Sequence, residues 1–433
     1  MALMCLKGVL LLLICIQISA GNEVLDKGKL VFSHIIYRHG DRTPIEPYPN
    51  DPYRDASEWP TGWGQLTNLG KQQHYELGKW LRQRYNSLLN ETYSKNEIYV
   101  RSTDVDRTLM SAQANLAGLY PPKGKDIWND EVAWQPIPVH TVQEKHDKVL
   151  AAKKSCPAYD YGLRKLRDSD EYRKINEKNK ALYDYVTEKS GRRIVNMEGI
   201  QFMYSVLNIE QIYNKTLPEW TKAVFPDKMK PISGRSFATY TYTRPLARLK
   251  SGPLLKEMLE RFTNKTHKRL SPDRKVWMYS AHDTTVGNIL NTLKVFEYHS
   301  PPYRACVMLE LREYQNEAFV SVFYKNTSAE PQLMDLPGCG VACPLEKMYK
   351  LYADVLPENW EAECNNVPVE GTQFLVDSLH FDPAMAGGLQ TTLIVIVSAV
   401  VIMCVVLLIL GAMILYRRRG YHDEDKWYYR IDG

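Results

Sequence analysis

The sequence lacks a strong charge of either sign, internal repeats and low-complexity segments. Its formal net charge over 433 residues is only +5. Lys7 supplies one of these charges, and the last eighteen residues, with five Lys/Arg and four Asp/Glu, supply another. About +3 is left for the rest of the chain, too little for a nucleic-acid-binding surface. The length and the 44% hydrophobic content fit one large globular domain or two ordinary ones.

Charge is also missing from an apolar run at the start of the chain. Residues 8–18 follow a single lysine and precede the small residues Ser19 and Ala20. This is the layout of a secretory signal peptide. We expect a signal peptide at residues 1–20, cleaved after Ala20.

A second uncharged run lies near the other end, at residues 393–415. As a helix it would be roughly 34 Å long, enough to span the hydrocarbon core of a bilayer. Three arginines, Arg417–Arg419, follow it at once and are typical of a cytoplasmic stop-transfer signal. We expect a single-pass membrane protein with residues 21–388 outside the cytoplasm and a cytoplasmic tail at residues 416–433.

The part of the chain that would be translocated carries four Asn-x-Ser/Thr sequons and five cysteines. The sequons predict N-glycosylation at Asn90, Asn214, Asn264 and Asn326. An odd number of cysteines in an oxidising compartment leaves one thiol unpaired. "CGVAC" is short enough for Cys339 and Cys343 to close a small loop. A metal site is the alternative, but no paired histidines or second cysteine cluster accompany this motif.

The pattern of apolar residues predicts an α/β fold. "KLVFSHIIY", "EIYVRS" and "KVWMYSA" are typical of short buried strands, and "CVMLELREY" and "EAFVSVFYK" of a strand pair at a sheet edge. A helix-spaced segment, "LTNLGKQQHYELGKWLRQRYNSLL", separates the first two strands. We expect a mixed, largely parallel central sheet flanked by helices. Residues 121–250 are rich in charge and tyrosine and predict a helical cap, and residues 365–388 predict a membrane-proximal stalk.

Chemically active side chains follow the ends of three predicted strands. The first strand runs into "YRHGDRTP", with Arg38, His39 and Arg42. Arg101 ends the second, and "SAHDTT" places His282 and Asp283 after the third. Ligands of open α/β sheets bind beyond the carboxyl ends of strands. Guanidinium groups match phosphate oxygens bidentately, so the pattern indicates a phosphate site.

The same residues could perform phosphate-ester hydrolysis. Fixed positive charge would stabilise the transferring group, and an unprotonated His39 would be the nucleophile. The neighbouring arginines disfavour the imidazolium form of His39. Asp283 would donate the proton to the leaving group, which predicts an acid optimum. The competing interpretation is structural: an Arg-His pair at a strand end is often a surface feature, and an aspartate after a histidine is often a helix cap.

Several motifs together resemble the histidine acid phosphatase family of animals. They are "RHGDRTP", "SAHDTT", "WPTGWGQLTNLGKQQHYELG", "YVRSTDVDRTLMSA", "WQPIPVHTV", "PPYRACVMLEL" and "LPGCGVACPLE". The resemblance implies a phosphoglycerate mutase-type fold with a helical cap, hydrolysis of phosphate monoesters and no metal cofactor. It also implies a phosphohistidine at His39, Asp283 as proton donor, and phosphate ligation by Arg38, Arg42, Arg101 and His282. Because related enzymes are commonly homodimers, a homodimer is expected.

The family pattern also implies a disulfide arrangement. It pairs Cys339 with Cys343 and Cys156 with Cys364, and it leaves Cys306 free. In the family, the cysteine that pairs with the counterpart of Cys306 would fall near Ile209, where this chain has no cysteine. Loss of such a bridge lowers stability by roughly 2–5 kcal/mol unless packing compensates.

Two further histidines are interpreted as structural, and a third is given no role. His34 precedes His39 by an odd number of residues, so in a regular strand the two point to opposite faces. His74, on the predicted helix, is expected to be packed or capping. His140, in "IPVHTV", is left unassigned.

The tail motif bears on location. Tyr428 to Ile431 has the Tyr-x-x-bulky pattern that clathrin adaptors read. We expect a lysosomal or endosomal membrane protein, with the plasma membrane as the alternative. Two further functions stay open: a cell-surface phosphatase for nucleotides or lysophospholipids, and an ectodomain that binds an anion or partner without turnover. An inositol polyphosphate phosphatase would need a more basic pocket rim than a domain of about +3 supplies.

Overall fold

The computed structural model describes residues 21–326 and 329–367. The chain divides into a unit that ends at Asn366 and a second unit, Val367–Gly433, of which only Val367 is described. The expected signal peptide, most of the stalk, the membrane span at 393–415 and the tail lie outside the described residues. Within the described ranges, no helix has the length and apolar character needed to cross a membrane.

In the part of the chain that the structure describes, seven strands form one mixed sheet. They are β1 (Lys29–Arg38), β2 (Ile98–Ser102), β3 (Val276–Ala281), β4 (Cys306–Tyr314), β5 (Glu317–Lys325), β6 (Gln332–Met334) and β7 (Cys343–Pro344). The order is β2-β3-β1-β4-β5-β6, and β7 also pairs with β5. The mixed sheet and the five strands anticipated from the sequence are confirmed.

The expectation of a largely parallel sheet is wrong. Only β2, β3 and β1 run parallel to one another, whereas β4 pairs antiparallel with β1 and all later pairings are antiparallel. β4 and β5 are joined by Gln315 and Asn316, whose φ angles are 50° and 65°. A two-residue turn with left-handed residues connects antiparallel strands. This pair is not at the sheet edge, because β4 lies against the central β1 and β6 continues beyond β5.

The register aligns the carboxyl ends of the three parallel strands. Arg38 of β1 lies opposite Ala281 of β3, and Ser102 of β2 lies opposite Ser280 of β3. The segments that follow these strands therefore leave the sheet at one edge, as the sequence predicted.

Helices cover both faces of the sheet. On one face, α1 (Asn68–Arg84) and α2 (Asp106–Leu119) pack their leucines against Ile35, Val100 and Met278. On the other face lie α8 (Gly252–Thr266), α9 (Asp283–Thr292) and α10 (Leu345–Tyr352), which contact a core that includes Phe32, Ile36 and Tyr279. The two clusters alternate along β1, because successive side chains of a strand point to opposite faces.

Five helices fall within or at the edge of the expected cap. They are α3 (Pro157–Arg167), α4 (Asp170–Ser190), α5 (Met197–Ile212), α6 (Met229–Ser236) and α7 (Arg244–Lys250). α4 begins at the N-cap Ser169 and ends at Gly191, whose φ of 76° suits glycine. Residues 121–156 contain only the short 3-10 turns Gly124–Asp126 and Glu144–His146, so the helical part of the expected cap begins at Pro157.

Both expected disulfides are formed. Cys156, just before α3, is bonded to Cys364 of α11 (Trp360–Asn365), and Cys339 is bonded to Cys343. Cys306 is a free, buried thiol on β4, and burial raises its pKa to about 12. A thiol held protonated in this way is unreactive. Ile209 of α5 is also buried.

The four sequon asparagines differ in accessibility. Asn90, Asn214 and Asn326 are exposed, whereas Asn264 is half-buried within α8. Glycosylation at these positions stays a prediction.

Candidate active site

The first part of the site is the segment that follows β1. Its path is fixed by close packing between Gly40 and Gly70 in the first turn of α1. A Cβ atom on Gly40 would lie 2.3 Å from the carbonyl oxygen of Gly70, and one on Gly70 would lie 2.2 Å from that of Asp41. Only glycine at both positions lets the backbones approach so closely. This contact holds His39 between the sheet edge and the start of α1.

His39 is buried and has a defined tautomer. Its Nδ1 atom lies 2.8 Å from the carbonyl oxygen of Gly40. A carbonyl only accepts, so Nδ1 carries the hydrogen and Nε2 of the neutral ring keeps its lone pair. The pKa of His39 is held well below 6.5, first by burial and then by the positive charges of Arg107 and Arg38. His39 is therefore neutral and has one ring nitrogen available as a nucleophile.

His282 and Asp283 lie at the start of α9, directly beyond β3. The rings of His282 and His39 are 5.7 Å apart. His282 Nε2 is 3.0 Å from Thr103 Oγ1, and its Nδ1 is 3.5 Å from Arg107 Nη2. Burial, followed by Arg107 and Lys153, lowers the pKa of His282 well below 6.5. The two histidines thus share one pocket as neutral rings.

Arg38 connects the two halves of the site. Its Nη2 atom is 2.8 Å from Asp283 Oδ2 and its Nη1 atom donates to the carbonyl oxygen of Pro301 at 2.6 Å. Its guanidinium lies 4.2 Å from the ring centre of Tyr303. Asp283 Oδ1 also accepts from the backbone N–H of Thr284 at 2.8 Å. Arg38 is thereby fixed in direction while it faces His39.

Arg42 and Arg107 are buried cations without a carboxylate partner among residues 21–326 and 329–367. They are 6% and 4% exposed. Arg42 donates to the Thr43 carbonyl, and Arg107 contacts His282. Burial and its proximity to Arg42 lower the pKa of Arg107 to about 9. Buried charges of like sign are stable only when an anion compensates them, so this pair marks an anion-binding site.

The structure does not place Arg101 in this cluster. Its guanidinium is 2.6 Å from Asp147 Oδ1 and 3.9 Å from Glu257 Oε2 of α8. Ile98 and Val100 pack with α1 and α2, and because side chains alternate along β2, Arg101 points to the opposite face. The expectation that Arg101 binds phosphate is corrected: Arg107 of α2 faces the pocket instead. One sequence feature could have pointed to Arg107. It lies in "STDVDRT", in the first turn of a helix that begins just after β2.

Further residues of the site were not anticipated. Tyr303 stacks on Arg38, with its ring 5.9 Å from that of His39. Asp41 is fully buried, and its Oδ2 accepts from Thr67 Oγ1 at 2.6 Å and from Tyr213 Oη at 2.5 Å. These contacts tie the segment after β1 to α1 and to the end of α5.

The three other histidines considered in the sequence analysis have structural positions. His34 Nε2 is 3.2 Å from the Met258 carbonyl on the α8 face, as expected from its odd offset. His74 Nε2 donates to the Arg38 carbonyl at 3.0 Å and so supports the end of β1. His140 is stacked on Tyr99 with ring centres 4.5 Å apart. Across the described parts of the chain, no group of three or more His, Cys, Asp or Glu side chains could hold a metal ion.

The chain is similar to a known family and to curated enzymes. Residues 29–325 match the model of the histidine phosphatase superfamily (branch 2). Prostatic acid phosphatase of Bos taurus is 41% identical over 81% of this chain and 91% of its own length. Lysosomal acid phosphatase of Xenopus laevis is 40% identical over 82% of this chain and 83% of its own length. The human lysosomal enzyme is 39% identical over 77% and 80%.

Solved structures share the fold at low identity. The phytase of Hafnia alvei superposes with a TM-score of 0.59 at 16% identity, covering 78% of this chain and 98% of the phytase. A multiple inositol polyphosphate phosphatase of Bifidobacterium longum gives a TM-score of 0.53 at 13% identity, covering 77% and 94%. From the matched region and the relatives near 40% identity, this chain belongs to branch 2 of the histidine phosphatase superfamily.

Proposed function

We propose that this protein is an acid phosphatase that hydrolyses phosphate monoesters through a covalent phosphohistidine at His39. The observation that carries the proposal is the pair of buried guanidiniums, Arg42 and Arg107, which form no ion pair with a carboxylate of the described residues. They lie beside His39, a neutral histidine with one free ring nitrogen. Prostatic and lysosomal acid phosphatases are among the similar curated proteins. Their names support the reaction class.

Phosphate binding would use Arg38, Arg42, Arg107 and His282, with Arg107 replacing Arg101 in the set expected from the sequence. A phosphate dianion would neutralise Arg42 and Arg107, and guanidinium forks match its oxygens bidentately. His282, which contacts Arg107 in the same pocket, would complete the set. Positive charge fixed before the reaction stabilises the charge on the transferring phosphoryl group.

In the first step, His39 Nε2 attacks phosphorus. The P–N bond forms, the P–O bond to the leaving group breaks, and the leaving oxygen takes a proton from Asp283. In the free enzyme Arg38 and Asp283 form an ion pair. Bound phosphate would draw Arg38 towards itself and free Asp283 to face the leaving oxygen. A carboxyl group must carry a proton to act as a donor, so low pH would assist this step.

In the second step, water attacks the phosphohistidine from the side vacated by the leaving group. Asp283, now ionised, accepts the proton of this water, the P–N bond breaks, and inorganic phosphate is released. The Nδ1 hydrogen bond to Gly40 keeps the imidazole oriented through both steps.

The test is hydrolysis of an aryl phosphate by the full-length protein, from acid to neutral pH, beside His39→Ala. An acid optimum that the substitution abolishes supports the proposal. A folded wild-type protein without turnover would contradict it and leave anion binding as the function.

We also propose that the enzyme acts from a lysosomal or endosomal membrane, with residues 21–388 in the lumen. Support comes from the sequence features at residues 1–20, 393–415 and Tyr428–Ile431 and from the lysosomal relatives. Immunofluorescence of the intact protein and of Tyr428→Ala tests this. Retention of the variant in lysosomes would exclude the tail motif as the signal.

A further inference from the structure

The helical cap contains a cleft that the proposed reaction does not use. It lies between α4 and α6 and has a volume of about 770 Å³, which is within the range of small-molecule binding sites. Its lining residues come from α4, from the first residue of α5 and from residues 223–235. None of them belongs to the proposed phosphate site. We call this feature the α4–α6 cleft.

The interior of the α4–α6 cleft is apolar. The buried side chains of Met197 and Val224 line it. Ile175 and Leu182 of α4 are seven residues apart and share one helix face, and Ile232 of α6 lines the cleft with them. These three side chains are only half-buried, and Ile175 and Ile232 pack against the core cluster that contains Met197. Apolar surface is therefore open to solvent on side chains that the core holds in place.

Positive charge surrounds this apolar interior. Lys178 of α4, Lys228 before α6 and Arg235 of α6 line the cleft, and Asp227 is the one acidic side chain that does so. Arg235 Nη2 lies 3.5 Å from Glu171 Oε1. Lys178 and Lys228 are exposed, and neither forms an ion pair with a carboxylate of the described residues. The cleft therefore offers two lysines to an anionic ligand.

The helix α6 separates the cleft from the phosphate pocket. Ile232 lines the cleft, whereas the next side chain, Ser233, turns towards the segment that precedes β4, with its Oγ 2.9 Å from Ser300 Oγ. The carbonyl of the following residue, Pro301, accepts the hydrogen bond from Arg38. A ligand in the cleft would thus lie on the other side of α6 from Arg38 and would not compete with phosphate.

We propose that the α4–α6 cleft binds a single-chain anionic amphiphile, namely a fatty acid, with its alkyl chain on the apolar interior and its carboxylate at Lys178 and Lys228. Burial of the alkyl chain provides the main driving force, and the lysines select the charge of the head group. A small inorganic anion would leave the apolar interior exposed, and the lysines would repel a cationic amphiphile. The inference goes beyond the proposed function and does not depend on turnover.

The test is photolabelling of the full-length protein in membranes isolated from expressing cells. The probe is dodecanoate with a diazirine in its alkyl chain, used at neutral pH, where the carboxyl group is ionised. Peptide mapping is expected to find the label in α4 and α6, and unmodified dodecanoate should compete for it. Excess inorganic phosphate should not compete. A probe with the same chain and a trimethylammonium head group should label these helices far less.

Two pairs of substitutions distinguish the lysines of the cleft from other lysines of the same helices. Lys178→Met combined with Lys228→Met should raise the probe concentration for half-maximal labelling about tenfold, as the loss of two exposed charge contacts predicts. The matched control combines Lys180→Met with Lys230→Met, because these two lysines are exposed and do not line the cleft. The control should label as the wild type does.

A further variant tests the apolar interior. Ile232→Trp fills the cleft and leaves both lysines in place, so it should remove the label from α4 and α6. Its unfolding temperature shows whether it is folded, and if it is not, the two lysine pairs decide the question. Label found only outside these helices, competition by phosphate, or equal labelling of the two lysine pairs would overturn the site.

Discussion

At the scale of single residues, the proposed phosphate site depends on which arginines face the pocket. Arg101 and Arg107 are six positions apart, but one pairs with Asp147 and the other contacts His282. The sequence indicates an arginine near the end of β2. It does not indicate the face to which that arginine points, because this depends on which residues of β2 meet α1 and α2.

Replacement of each arginine separates these roles. Arg107→Met should lower kcat/KM for phenyl phosphate by about 10²–10³-fold, since a charge-stabilising group of the transition state is lost. Arg101→Met should change this value only a few-fold and should lower thermal stability, because Asp147 keeps a buried charge without its partner. Steady-state kinetics and thermal unfolding of both variants test this. The opposite ranking of the kinetic effects would restore Arg101 as the phosphate ligand.

The predicted site residues that the structure brings together have a fixed place beside a strand end. Arg38 ends β1, and the others follow β1 or β3 within a few positions, namely His39, Arg42, His282 and Asp283. Tyr303 was missed because long-range packing of the segment before β4 places it on Arg38. Asp41 follows β1 as His39 does, but its role depends on contacts with Thr67 and Tyr213, which the sequence does not show.

At the scale of secondary-structure elements, the contact between the His39 segment and α1 is the feature that positions His39, the proposed nucleophile. Gly40 and Gly70 meet with no space for a Cβ atom between them. His74 of the same helix donates to the Arg38 carbonyl. The helix is therefore a support for the site as well as a cover for the sheet.

Gly40→Ala should displace the His39 segment from α1. The added methyl would overlap backbone rather than a flexible side chain, so a loss of about 1–3 kcal/mol of stability is expected. The kcat/KM of the protein that still folds should fall as well, because His39 is displaced. The control is Gly162→Ala in α3, where the nearest atom is a side-chain carbon of Leu246 at 3.3 Å. Chemical denaturation and kinetics provide the readout. A fully active Gly40→Ala would show that the contact does not position His39.

The order of the strands in the sheet could not be predicted from the apolar pattern of each strand. The five longer strands are readable from their apolar residues, and "QN" indicates the β4–β5 turn. The antiparallel docking of β4 against β1 is set by the central core, where Val307 and Leu309 pack with Ile36 and Phe32. No local feature of β4 specifies that neighbour.

At the scale of the whole molecule, acid pH is expected to stabilise the folded state as well as to assist the proposed reaction. Asp51 and Glu210 are buried carboxyl groups on different segments, and each perturbs the pKa of the other. Burial first, and Asp51 next, raise the pKa of Glu210 above its ordinary 4.5, and burial raises that of Asp51. The phenol of Tyr48 and the ammonium of Lys215 are further titratable groups near the pair, and the Tyr53 N–H donates to Asp51. Burial and mutual repulsion disfavour the state in which both carboxyls are ionised.

This pair predicts that stability falls as pH rises. Above pH 4.5 the unfolded chain releases a proton that the folded chain keeps, so the free energy of unfolding decreases by about 1.4 kcal/mol for each unit by which the pKa is raised. Glu210→Gln should flatten the dependence of melting temperature on pH. The exposed Glu219→Gln should leave it unchanged. An unaltered slope in Glu210→Gln would exclude the pair as its cause.

The most direct test of the central claim is to trap the phosphoenzyme. The full-length protein is mixed with a ³²P-labelled aryl phosphate at acid pH, quenched with denaturant and analysed for protein-bound label. The account predicts label that survives alkali, is lost in acid and maps to the peptide containing His39, with none in His39→Ala. Turnover by the wild type without any labelled His39 peptide, or label that persists in His39→Ala, would contradict it.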